Sequence, residues 1–327
     1  LKYGVTWNHV LGLVVVLGDG SIVKLGGDHM DAPDMDLAGI VCGSEGTLAV
    51  VTEIGVRLLR RPEATRTMLF DFATIEESCS AVSDIIAAGM VPAALEIMDR
   101  HTVALVEDWL HLGLPLDAGA VLLVEVDGPP ESLGAQVERI IGFATARGSR
   151  HTRVAQSEEE RLQIWRGRKS AFGAYGRTAS GFYIMYGVVP RTRLAEALAE
   201  VGAIAARNGL EAGNVFHAGD GNLHPHVLFD ADDEAARARA LEASHDILRM
   251  CIRLGGTISG EHGVGTEKRS MMRELFTESD LAVMERVRRA FDAESRLNPG
   301  KILPAGGACR EGSPALMRGA GAEGVWI

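Results

Sequence analysis

The segment His217-Ala-Gly-Asp-Gly-Asn-Leu-His224 sets two imidazoles on either side of an Asp-Gly dipeptide. Asp-Gly between strand-like residues predicts a two-residue type I′ hairpin, a turn that needs positive φ at both central positions. Centred on Asp220-Gly221, that turn sets Gly219 opposite Asn222, Ala218 opposite Leu223 and His217 opposite His224. Directly paired residues share a face with Cβ atoms roughly 4.5–5.5 Å apart. Two imidazoles so placed either converge on one metal ion or stack as an ordinary surface pair. His226, two residues on, is expected on the same face.

A second cluster, Ser259-Gly-Glu-His-Gly-Val-Gly265, is a glycine-rich loop between helical segments. Its glycines permit close backbone approach to a ligand. Glu261 supplies the oxygen that completes a two-His, one-carboxylate set, which suits Zn, Mn or Fe(II) alike. His262 beside it has the chemistry of a general base near neutral pH. A helix-capping Glu–His loop is the alternative. In Gly43-Ser44-Glu45-Gly46-Thr47, the glycines let backbone N–H groups reach a phosphate or a cofactor ring, or make a plain turn. Trp165-Arg166-Gly167-Arg168-Lys169 sits in a helical pattern, where three cations in four residues cannot all share one solvated face. Arg168 turned inward would hold a substrate carboxylate in a bidentate fork; turned outward it joins a basic surface. Asn298-Pro-Gly-Lys301 marks a stop after the last helix, with the Asn amide either serving a ligand or closing a turn. The remaining histidines (His9, His29, His101, His111, His151, His245) are isolated and read as ordinary surface or core residues.

The elements that must position these groups alternate. Residues 12–17, a Val-rich run, and 21–25 flank Gly18-Asp19-Gly20 and predict a hairpin. Residues 48–59 predict a strand closed by Arg60-Arg61-Pro62, and a domain boundary falls near 62. Further strands are expected at 65–72, 94–98, 150–155 and 182–189. Residues 120–126 predict a buried strand from their continuous apolar character. Helices are expected at 74–88 (Thr74 as N-cap, Gly89 after the end), 100–110, 130–146 stopped by Gly148, 157–172 and 191–208. A hairpin over 211–229 leads into a long helix over 232–254, with further helices near 266–275 and 279–294. Strands joined by helical crossovers imply an α+β or α/β layer fold. The Gly- and Ala-rich residues 305–327 are expected to be a disordered tail.

The 327 residues suggest two domains, and 46% hydrophobic against 24% charged residues is enough to bury a core. A net charge of −11 disfavours a nucleic-acid or anionic-membrane partner. No apolar run approaches the roughly 20 residues of a transmembrane helix. Four dispersed cysteines (Cys42, Cys79, Cys251, Cys309) without CxxC rule out a dense disulfide framework and an iron–sulfur cluster held by this chain alone. No secretory signal is visible, so a cytoplasmic location is the default expectation.

Taken in order, GSEGTL, HAGDGNLH, SGEHGVG and NPGK resemble the FAD-linked oxidases of the vanillyl-alcohol oxidase superfamily. The likeness is strongest to the branch of glycolate oxidase D subunits and D-lactate and D-2-hydroxyglutarate dehydrogenases, and it covers residues 1–304. The resemblance implies an α+β fold. Residues 1–61 would be the last part of the FAD-binding domain, and 62–304 a ferredoxin-like cap or substrate domain with a C-terminal helical section. It also implies that the Gly-rich loop holding the FAD pyrophosphate precedes Leu1, and that this chain, keeping only part of the ring pocket in residues 1–61, binds FAD weakly or not at all. By the same resemblance His217, His224 and Glu261 match divalent-metal ligands (Zn or Mn), and His262 matches the proposed base. Arg168 matches an arginine on the substrate carboxylate; Gly43, Ser44, Glu45, Gly46, Thr47 and Asn298 match flavin-side positions. The implied activity is oxidation of a small D-2-hydroxy acid such as glycolate or D-lactate, with electrons leaving through iron–sulfur and flavin-domain partner subunits. Residues 29–37 keep only Asp36-Leu37 of the usual pattern, Ala49 replaces a common glycine, and Tyr186 stands where an acidic residue is usual. Two alternatives use the same residues differently. One is a flavin-free metal-dependent hydrolase or Fe(II) oxygenase at His217, His224 and Glu261; the other is a non-catalytic assembly subunit.

Overall fold

The computed structural model describes residues 1–27, 29 and 35–304, with the backbone of residues 317 and 318. It divides into two compact units, Tyr3–Arg61 with Glu261–Ala315, and Leu1–Lys2 with Pro62–Gly260 and Leu316–Ile327. Most of the expected disordered tail, and most of the stretch after His29, lies outside the described residues.

The first of these units opens with β1 (Val10–Val16), β2 (Ile22–Gly26), α1 (Leu37–Val41) and β3 (Val50–Val56). The strands form an antiparallel sheet in the order β2-β1-β3. The expected hairpin is present, its turn closed by Asp19, which accepts from the Ser21 N–H at 2.9 Å. Leu13, Val15 and Leu25 bury one face against Ala38 and Val41 of α1. Asp36 caps α1 by accepting from the Gly39 N–H at 2.8 Å.

The larger unit is built on one antiparallel sheet. Its elements are β4 (Ala64–Phe72), α2 (Ile75–Ala87), β5 (Ala94–Asp99), α3 (Arg100–Leu110), β6 (Ala120–Gly128), α4 (Pro130–Ala146) and β7 (His151–Val154). Then come α5 (Glu158–Lys169), α6 (Ala171–Thr178), β8 (Gly181–Ile184), β9 (Gly187–Val188) and α7 (Leu194–Arg207). β10 (Glu211–His217), β11 (Asn222–Leu223), β12 (Pro225–Phe229) and α8 (Glu234–Arg253) complete it, with β13 (Met317–Arg318) at one edge. The order is β13-β8-β12-β10-β5-β6-β4-β7, with β11 and β9 branching off β10. Thr74 caps α2 in a reciprocal capping box with Glu77. After the Gly-rich loop, the smaller unit adds α9 (Met272–Leu275) and α10 (Glu278–Phe291).

An antiparallel sheet with helices packed on it makes the fold α+β. The sheet is buried on both faces. Leu69, Val121 and Leu123 point into a core shared with α3, α5 and α6, while their neighbours Phe70, Leu122 and Val124 are fully buried on the other side. That two-sided burial is why β6 reads as a continuous apolar run. Three expected elements differ. The helix over 157–172 is interrupted at Ser170, which ends α5 and starts α6. The strand over 182–189 splits because β8 stays on β12 while β9 leaves to pair with β11 and bridge Thr257. The helix near 266–275 is reduced to Met272–Leu275, because the residues before it turn to bury Lys268 and Arg269. No helix of the described residues is long and apolar enough to cross a membrane.

A buried polar seam ties β5, α3, α6 and β10 together. Asp99 caps α3, accepting from the Thr102 N–H at 2.8 Å and its hydroxyl at 2.7 Å, and from the N–H and Nδ2 of Asn214 at 2.7 and 2.9 Å. The Tyr175 hydroxyl bonds Thr102 Oγ1, and the Tyr175 ring stacks on His226 at 4.2 Å between centroids. His226 is fully buried, with Nδ1 2.8 Å from the His224 carbonyl. Burial pushes its pKa down from 6.5 to about 3. The unfolded chain therefore takes up this proton first as pH falls. The stability it contributes is complete above pH 6.5 and is lost as pH falls from 6.5 toward 3, adding about 1.4 kcal/mol per pH unit to the slope. Urea unfolding of the wild type and His226→Phe between pH 7 and 4 checks this. The variant's stability should depend on pH less steeply, whatever its absolute value; equal slopes would remove His226 as the titrating group.

Candidate metal and substrate site

The site in the larger unit grows out of one strand pairing. β10 runs antiparallel to β5 with Val215 opposite Met98, Phe216 opposite Ile97 and His217 opposite Glu96. His217 and Glu96 therefore share a face, and Glu96 Oε1 lies 2.7 Å from His217 Nδ1. The other carboxylate oxygen accepts from Arg168 Nε at 2.9 Å. Arg168 is the inward-turned cation of its cluster; Arg166 and Lys169 are exposed. Both Glu96 and Arg168 are buried, at 6% and 7% exposure. Among the described residues, no protein acceptor takes the two terminal nitrogens of Arg168.

The hairpin carrying the histidines differs from the expected register. His217 pairs with Asn222, not with His224, and the connection is a four-residue loop, 218–221. Asp220 keeps negative φ while Gly221 is at +71°, so the type I′ requirement is not met. The loop instead turns on the Asp220 N–H to the His217 carbonyl at 3.1 Å. The strand pairing shifts by two residues, an even number, so faces are conserved and His217 and His224 still meet, now diagonally. Their rings lie 4.9 Å apart, nearly perpendicular. Tyr186 covers the His224 ring edge-on at 4.7 Å. His226 turns inward to Tyr175 and takes no part in the pair.

Glu261 is the residue at which the chain leaves this unit. It is bonded to Gly260, whose missing side chain lets Asn222 pack directly against the backbone, and Asn222 is the ladder partner of His217. One donor atom each from His217, His224 and Glu261 lies within 4.8 Å of the others. A tetrahedral ion with bonds of about 2.1 Å spaces its ligand atoms by about 3.4 Å. In donor type, two imidazoles and a carboxylate, the set suits one divalent ion.

In the smaller unit, residues 43–47 form a tight turn after α1. Gly43, Glu45 and Gly46 all have positive φ, and the Thr47 hydroxyl bonds the Ser44 carbonyl at 2.7 Å. The Asn298 amide donates to the Glu45 carbonyl at 2.5 Å, so these two sequence-identified groups are in contact. The Glu45 carboxylate accepts from the Val264 and Gly265 N–H groups, both at 2.7 Å. A side chain on Gly263 (φ +79°) would strike that carboxylate at 2.5 Å. Glu45 thus anchors the loop that follows Glu261 and His262. His262 Nε2 lies 3.8 Å from Glu261 Oε1, and both side chains are about half exposed.

Sequence reasoning missed Glu96. The available signal was a carboxylate inside an otherwise apolar strand, Ala-Leu-Glu-Ile-Met, where a buried charge needs a partner. The Glu45 anchor yields a direct test. Hydrogen bonds to a charged group contribute about 1.5–3 kcal/mol each. Glu45→Ala should therefore speed hydrogen exchange at the Val264 and Gly265 amides at least about 10-fold, leaving β10 amides unchanged. Unaltered exchange at Val264 and Gly265 would show that the loop holds itself.

The family "FAD linked oxidases, C-terminal domain" matches residues 61–302. The chain is 42% identical over 311 residues to glycolate oxidase subunit GlcD of Escherichia coli, covering 95% of this chain and 62% of that protein. It is 39% identical to glycolate oxidase subunit GlcD of Bacillus subtilis (93% and 65%) and 30% identical to a D-lactate dehydrogenase of Archaeoglobus fulgidus (93% and 66%). It thus spans less than two thirds of the length of the glycolate oxidase subunits. The fold is that of 4-ethylphenol oxidase from Gulosibacter chungangensis, with a TM-score of 0.72 at 17% identity over 92% of this chain and 67% of that one. The match to p-cresol methylhydroxylase has a TM-score of 0.71 at 14% identity, over 91% and 66% of the two chains. The match over residues 61–302 and the identity to the GlcD subunits establish that this chain belongs to the FAD-linked oxidases, through their C-terminal domain.

Proposed function

We propose that this chain is the substrate-side portion of an FAD-dependent oxidase of small D-2-hydroxy acids, glycolate or D-lactate, yielding the 2-oxo acid. The observation that carries the reading is a two-His, one-carboxylate group whose His217 is linked through Glu96 to a buried arginine, in a chain of the FAD-linked oxidase family. Residues 1–61 are read as the end of the FAD-binding domain and 62–304 as the substrate or cap domain.

His217, His224 and Glu261 would hold a divalent ion, Zn or Mn. Such an ion supplies a Lewis acid that lowers the pKa of a hydroxyl it meets. The terminal nitrogens of Arg168 bind the substrate carboxylate as a fork, while its Nε stays on Glu96. His262 accepts the hydroxyl proton. Residues 43–47 and Asn298 border the flavin, with the turn presenting backbone and the Glu45 carboxylate engaged in holding the loop. FAD, when bound, supplies the two-electron acceptor. Electrons leave through iron–sulfur and flavin-domain partner subunits, since this sequence has no cysteine set for a cluster. The cytoplasm is the proposed location; Cys42, Cys79 and Cys251 are thiols, which suits a reducing compartment.

The test is a dye-coupled assay of the natural gene product, purified with its flavin, against glycolate, D-lactate and D-2-hydroxyglutarate. Glycolate or D-lactate should be turned over. His262→Ala should cut kcat by about 10²–10⁴-fold with flavin content intact. A flavoprotein inert to all three acids would overturn the activity, and near-normal kcat in His262→Ala would remove that residue from the reaction.

A further inference from the structure

Glu96 has no role in the reading above, yet it touches two groups that do. Its carboxylate is one hydrogen bond from His217 Nδ1 (2.7 Å) and one from Arg168 Nε (2.9 Å). It stands directly opposite His217 in the β5–β10 ladder, so backbone pairing fixes the approach. Arg168 comes from the last turn of α5, over the same face. All three belong to one compact unit.

We infer that Glu96 is a positioning residue: it holds His217 as the Nδ1–H tautomer, presenting the Nε2 lone pair for metal coordination, and Arg168 holds Glu96. A carboxylate only accepts hydrogen bonds, so a neutral His217 beside it must carry its proton on Nδ1. A neutral imidazole with its proton there has its ligating lone pair on Nε2. Carboxylate partners of this kind orient a ligating histidine, and their loss costs 10–100-fold in metal affinity. Arg168 supplies the third member: its Nε–H occupies the second carboxylate oxygen, so Glu96 cannot rotate away without leaving a buried guanidinium unpaired. The arrangement also gives Arg168 two separate functions through different nitrogens. Nε sets the histidine, leaving the terminal nitrogens for the substrate carboxylate of the proposed function. This inference rests on the metal reading of His217, His224 and Glu261.

Two measurements on the full chain test it. In the first, Zn²⁺ is titrated calorimetrically into wild type, His217→Ala and Glu96→Gln. His217 and Arg168 each use a different carboxylate oxygen, and glutamine puts an NH₂ donor in place of one of them, so the two contacts cannot both be kept as they stand. The expected result is one high-affinity site in the wild type, lost in His217→Ala and weakened about 10–100-fold in Glu96→Gln. If the wild type binds Zn²⁺ through His217 and Glu96→Gln binds equally well, the role of Glu96 is overturned and the metal reading stands. If the wild type shows no site dependent on His217, the metal reading falls and the inference with it. The second measurement needs no variant at Glu96 and no metal. Long-range ¹H–¹⁵N spectra of ¹⁵N-histidine-labelled, metal-free wild type, with His217 assigned from His217→Gln, report the tautomer at alkaline pH. An Nδ1–H tautomer is expected; an Nε2–H tautomer would overturn the inference even if Glu96→Gln failed to fold.

Discussion

A carboxylate held inside an antiparallel sheet is the constraint around which the larger unit is arranged. Glu96 is buried on β5, and an ion removed from water costs several kcal/mol unless its hydrogen-bonding capacity is met. Two groups meet it: His217 from the neighbouring strand and Arg168 from α5. The same helix repeats the pattern on the next strand. Arg161 and Trp165, two turns and one turn before Arg168, both bond to Glu125 of β6, at 3.0 and 2.6 Å. The face of α5 turned to the sheet is thus a row of donors over two carboxylates. That explains why a helix with little apolar character docks on this core and why Arg168 faces inward.

Much of the fold was legible in the sequence where one physical signal dominated. Helix α3 spans the expected 100–110, α4 starts at Pro130 and stops before Gly148, and α2 begins at its Thr74 cap. β6 was recognisable because both its faces are covered. The misreadings occur where tertiary pairing overrides a local pattern. The stretch 182–189 looks like one strand but serves two partners, β12 and β11. The Asp220-Gly221 dipeptide looks like a tight hairpin. Yet β10 and β12 are locked in register further down, at Gly213 opposite His226 and Asn214 opposite Pro225, and that register leaves four residues for the turn.

The site was legible in a different way. Histidine spacing picked out side chains that lie together in the structure even though the hairpin register was misjudged, because a shift of two residues preserves which face a strand residue occupies. The supporting groups were harder to see. Glu96 lies over a hundred residues from His217 in sequence, and only the sheet brings them together. Glu45 reads in the sequence as part of a glycine-rich turn, and nothing there shows that its carboxylate accepts from two backbone N–H groups more than two hundred residues away. In both cases an acidic side chain is tied to a distant segment by hydrogen bonds that no periodicity encodes.

The central claim is that His217, His224 and Glu261 form one metal centre. The most direct measurement is a crystal structure of the chain grown with Zn²⁺, with anomalous difference maps on both sides of the zinc edge. The account predicts a single strong peak bonded to one nitrogen of each histidine and one Glu261 oxygen, at about 2.0–2.2 Å. A map with full occupancy elsewhere and no peak among these three side chains would contradict it.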